Sequence, residues 1–101
     1  MGLAKKGSRE IDVDGVTYRW ALSPDSGYAV LVAELYDGSG QRLEAQTTYG
    51  SEVGHSAAVT PHGVAKTIRL ALTEGWQPAS RGLTPFRLDQ IDKRVDFSDR
   101  S

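Results

Sequence analysis

The amino-acid sequence predicts an α+β domain in which an antiparallel sheet of four strands, made from two hairpins, carries one helix packed across one face; a fifth strand is available near Pro85. Three observations carry that prediction. Alternating apolar residues flank Asp14-Gly15, a second pair of strand-like runs flanks Gly38-Ser39-Gly40, and the stretch from Thr60 to Pro78 has the start, stripe and stop of a single helix.

The first hairpin is specified by both its turn and its pattern. Ile11, Val13, Val16, Tyr18, Trp20 and Leu22 alternate with polar or small residues, and Asp-Gly is a preferred pair for a two-residue hairpin turn. Such a turn fixes the register, so Val13 should face Val16, Ile11 should face Tyr18, and Glu10 should face Arg19 as an opposite-charge pair on the other side of the sheet.

Ser23 to Gly27 is a turn cluster, and Tyr28 to Tyr36 is then apolar at nearly every position, as expected of a central strand. Gln41 to Tyr49 alternates Leu43, Ala45, Thr47 and Tyr49 with Arg42, Glu44, Gln46 and Thr48, so one of its faces should be wet. If Gly38-Ser39-Gly40 is the loop, Leu35 faces Leu43 and Ala33 faces Ala45, with the glycines supplying any positive φ.

The helix should begin at Thr60, whose side chain can accept a hydrogen bond from a free first-turn N–H, with Pro61 at the first helical position. Val64, Ile68, Ala71 and Leu72 form the expected core stripe, leaving His62, Lys66, Arg69 and Thr73 outside, with Leu70 projecting opposite the stripe. Gly75 and Pro78 end the helix, and Glu74 stands at the negative end of its dipole, where a cation is preferred. Pro85 to Leu88 can add an edge strand. The division expected is a flexible arm at residues 1–8, a single domain at 9–89 and a polar tail at 90–101, for which fraying is favoured over a short amphipathic helix around Ile91, Val95 and Phe97.

Composition narrows the functional classes. The 101 residues are 39% hydrophobic and 25% charged, which suits one globular domain, and a net charge of -1 gives the whole molecule no pull toward nucleic acid or anionic membrane. With no cysteine, disulfide and thiolate chemistry are excluded. No apolar run reaches the length of a membrane span or resembles a secretory leader, so a cytoplasmic protein without membrane partners is expected.

The segment Lys6–Trp20, read K-G-S-R-E-I-D-V-D-G-V-T-Y-R-W, together with Thr60-Pro61, Gly75-Trp76-Gln77-Pro78 and Pro85–Leu88, resembles a family of small uncharacterised bacterial proteins. These share a K-G-x-R-x-I-x-V-D-G-x-x-Y-R-W start and a Gly-Trp-x-Pro step after the helix. The resemblance covers about Lys6 to Leu88 and implies a bacterial cytoplasmic origin and one compact domain. It implies no activity and transfers no functional residue.

Candidate chemistry is sparse. His55, His62 and Glu52 match no zinc or triad spacing, and Gly50 to Gly54 lacks the Gly-Lys-Ser/Thr ending of a phosphate loop, so no catalytic residue, metal or cofactor is expected. Trp20 and Trp76 are expected in the core. The leading expectation is a non-catalytic protein-interaction module, with self-association among its options. It would use the helix-free sheet face with Val30 and Val32, a strand edge, or the Leu70 side of the helix. The alternative is a nucleic-acid or polyanion binder in which His62, Lys66 and Arg69 join Lys5, Lys6 and Arg9.

Overall fold

Residues 8–25, 28–38, 40–47 and 60–95 are described by a computed structural model. Among these residues seven elements follow in order: β1 (Arg9–Val13), β2 (Val16–Asp25), β3 (Tyr28–Leu35), β4 (Leu43–Gln46), α1 (Pro61–Glu74), β5 (Phe86–Leu88) and α2 (Ile91–Arg94). The strands form one sheet in the order β1-β2-β3-β4-β5, antiparallel from β1 to β4. β5 runs parallel to β4, so the sheet is mixed where an antiparallel one was expected. The reason is the connection: parallel neighbours need a crossover, and the segment between β4 and β5 contains α1.

The first hairpin has the expected register, with Val13 opposite Val16, Ile11 opposite Tyr18 and Glu10 opposite Arg19. Its turn residues Asp14 and Gly15 have φ of 52° and 85°, the double positive φ that matches the twist of the flanking strands. The β3–β4 pairing differs from expectation. Ala33, not Leu35, faces Leu43, and Leu31 faces Ala45. A shift of two residues keeps the same side chains on the same face, so the apolar pattern is satisfied equally well in either register.

What selects the observed register lies far along the chain. Gly38 has the positive φ expected of a turn glycine, at 70°. Gly40 serves close approach: a Cβ there would fall 1.5 Å from the Pro78 carbonyl oxygen. Buried Gln41 then accepts from the Gln77 N–H at 2.9 Å, donates to the Thr84 carbonyl at 2.8 Å, and offers its own carbonyl to the Trp76 indole N–H at 2.9 Å. Residues 40–42 are committed to the exit of α1 and do not extend the ladder with β3.

The caps of α1 are as expected. Thr60 Oγ1 accepts from the Gly63 N–H at 3.1 Å, Pro61 opens the helix, and Gly75, at φ 120°, sends its N–H to the Ala71 and Leu72 carbonyls. Its buried residues are Gly63, Val64, Thr67, Ile68 and Ala71, so the helix is rolled relative to the expected stripe. Leu72 is 36% exposed, whereas Leu70 is half-buried against the core. Thr67 can enter the core because its hydroxyl donates to the Gly63 carbonyl at 2.9 Å, leaving its methyl for packing.

The core lies between the sheet and α1, formed by Val13, Tyr18, Trp20, Leu31, Ala33, Leu43 and Ala45 against Val64, Ile68, Ala71 and Trp76. Both tryptophans are therefore core residues, and the Trp76 ring stands 5.6 Å from that of Tyr18. Up to residue 95 the tail follows the helical alternative and not the favoured fraying: α2 seals the core with Ile91 at 1% exposure, and Val95 follows at 7%. Arg94 also reaches Glu74 at 2.7 Å, bringing to the end of α1 the cation its dipole favours. Residues 96–101 lie outside the described residues.

Candidate interaction surface

Among the described residues, the basic side chains named from the sequence are not gathered into one cluster. Lys5 and Lys6, like His55, lie outside the described residues. Arg69 is tied to Asp14 at 3.3 Å, just beyond the last residue of β1, whereas Arg9 opens β1 and lays its guanidinium 5.6 Å over the Trp20 ring. The strand thus separates the two arginines. Lys66 and His62 are half-buried on α1, where the buried Nε2 of His62 has no hydrogen-bond partner among the described residues. Leu70, expected as an exposed apolar contact, belongs to the core margin.

The strand between those arginines is an edge of the sheet among the described residues. In a hairpin with a two-residue turn the flanking pair exchanges hydrogen bonds, so Val13, Ile11 and Arg9 turn their backbone groups toward β2. The alternate residues must turn theirs away. Thr17, opposite Asp12, accepts on its carbonyl from the Tyr36 N–H at 3.1 Å, on the side remote from β1. The N–H and C=O groups of Glu10 and Asp12 accordingly point off the sheet, where no described residue pairs with them.

The side chains along this edge divide by face. Arg9, Ile11 and Val13 belong to the helix side, with Ile11 half-buried and Val13 buried. Glu10 and Asp12 are exposed on the opposite side, where Asp12 accepts from the Thr17 hydroxyl at 2.6 Å. Neither acid has an ion pair with a described residue. Edge strands often carry charge because it discourages unwanted pairing.

The helix-free face behind that edge is only partly apolar. Ala21, Val30 and Val32 are half-buried, while Arg19 and Glu34, directly opposite each other, are 8% and 3% exposed. The expected charge pair of Arg19 with Glu10 is not made. Arg19 instead stacks its guanidinium 4.1 Å from the Tyr36 ring centroid, its buried Nε having no acceptor among the described residues, and Glu34 faces Arg42 at 3.7 Å. Arg87 reaches Glu44 at 3.4 Å, so charges tile the centre of this face and leave a narrow apolar strip.

Asp12 and Glu34 were not singled out in the sequence. Asp12 could have been, since the turn dictates which β1 residues present backbone outward; the Arg19–Tyr36 stack depends on the β2–β3 pairing and has no local signal. Among the described residues no helix is long and apolar enough to cross a membrane. Set against models of protein families, curated proteins and solved structures, the chain matches none of them.

Proposed function

We propose that this domain is a non-catalytic protein-interaction module that takes up an extended segment of a partner protein along the edge of β1 that no described strand occupies, working in the cytoplasm. The supporting observation is the outward-facing backbone of Glu10 and Asp12 on a strand whose other side is held in register by a two-residue turn. Main-chain hydrogen bonds give such an added strand its affinity, and a preformed edge has little left to order on binding.

A proline at Glu10 tests the reading with little harm to the fold. The Glu10 N–H points off the sheet, so proline deletes a donor that the β1–β2 ladder does not use. The folded Glu10→Pro variant should lose a partner that the unaltered protein recovers from cell extract. Equal recovery by both proteins rejects the edge as the binding site. The polyanion reading, through His62, Lys66, Arg69, Arg9, Lys5 and Lys6, is separated on the same material: it requires salt-sensitive retention on immobilised DNA or RNA that Glu10→Pro leaves intact.

A further inference from the structure

The edge-strand reading leaves open what the added strand is, and the charge pattern of β1 bears on that. We infer that the occupant is a strand of another protein with basic residues at alternate positions around one apolar residue, and is not a second copy of this chain. The inference rests on the proposed use of the β1 edge.

A second copy would join β1 to β1 about a two-fold axis perpendicular to the sheet, which makes the strands antiparallel and keeps like faces together. Only the outward-facing residues can then supply the new hydrogen bonds. Registers kept within β1 place Glu10 opposite Glu10, Glu10 opposite Asp12, or Asp12 opposite Asp12. In each of them like charges stand directly across the new ladder, the arrangement that destabilises cross-strand pairing. Arg9 cannot relieve this, because it lies on the other face with its guanidinium over Trp20.

The same geometry specifies a good partner. Residues of an incoming strand opposite Glu10 and Asp12 lie two apart on the helix-free face, where lysine or arginine would supply the cations that no described residue provides. The residue between them falls on the helix side beside half-buried Ile11, whose remaining exposed surface an apolar side chain would cover. Asp12 needs no rearrangement, since the Thr17 hydroxyl already fixes its carboxylate on that face.

Three synthetic peptides that alternate valine with lysine, with threonine or with glutamate test this on the intact protein, read by protection of the Glu10 and Asp12 amides from hydrogen exchange and by titration. The lysine peptide should bind most tightly, weaken as salt is raised, and lose roughly twofold to thirtyfold in affinity in the Glu10→Gln, Asp12→Asn double variant, the product of one cross-strand charge pair at each site. Replacing both acids by lysine should transfer the preference to the glutamate peptide. If the threonine peptide protects the two amides as well as the lysine peptide does, the charge inference is overturned while the edge reading stands. If no peptide protects them, the inference is likewise overturned, and the Glu10→Pro comparison then decides the edge reading separately. Sedimentation should show a monomer at high concentration; a dimer abolished by Glu10→Pro would overturn the exclusion of a second copy.

Discussion

The two edges of the described sheet are guarded by different means. β5 is three residues long, follows Pro85, and leads through Asp89 and Gln90, at φ 54°, into α2. An edge so short and so interrupted offers little ladder to any strand, whatever its charge. β1 is five residues long and uninterrupted, and its outward backbone is guarded by Glu10 and Asp12. Charge excludes only partners of like sign. Brevity thus makes an edge inert, whereas charge makes it selective.

The contrast extends to stability, since the β5 side is held by packing at long range and the β1 side by its own turn. The largest expected effect is at Leu88, 4% exposed at the end of β5: Leu88→Ala should cost about 2 to 5 kcal/mol in chemical denaturation. A loss under about 1 kcal/mol would mean that β5 is not anchored in the core, which would break the comparison. Next is Gly40→Ala, whose added methyl would meet the Pro78 carbonyl at 1.5 Å. A cost of about 1 to 3 kcal/mol is expected, with hydrogen-exchange protection lost around β4 and β5 and retained in the β1–β2 hairpin. Uniform loss of protection would show that the two sides are not separable.

The smallest effect is set by pH on the β1 side. Burial, with help from the nearby Asp14 carboxylate, raises the pKa of Tyr18 above its ordinary value of 10.0. The neutral phenol is the form favoured in the folded protein, so its stabilising contribution is complete below the unfolded phenol's pKa and is lost as pH rises through the folded one. Denaturation midpoints should therefore fall as pH is raised above about 10, and Tyr18→Phe should flatten that decline. An unchanged slope in the variant would assign the decline to other groups.

The same division explains what was legible in the sequence. The Asp14-Gly15 hairpin was readable to the residue because turn type and apolar alternation are local and agree. The caps of α1 were readable for the same reason. The β3–β4 register was not, because a two-residue slip preserves the pattern and the choice is made by Gly40 and Gln41 against residues that follow α1. The roll of α1 depends on Thr67 satisfying its hydroxyl within the helix, and Ile91 and Val95 are legible as the apolar side of a short helix but carry no local sign of the core they complete. Of the surface, Val30, Val32 and a strand edge were expected; the separation of Arg9 from Arg69 and the stacking of Arg19 on Tyr36 arise only when distant strands meet.

Gln41 also sets an order in time. The first hairpin can close as soon as its residues leave the ribosome, but the partners of Gln41 lie 35, 36 and 43 residues downstream. Until Thr84 and Phe86 arrive, β4 is itself the margin of a growing sheet, and Arg42 and Glu44 give it charges of both signs in place of the acids that guard β1. Throughout that interval the nascent chain exposes a second edge with weaker discrimination than the one it keeps, and the docking of β5 ends the exposure.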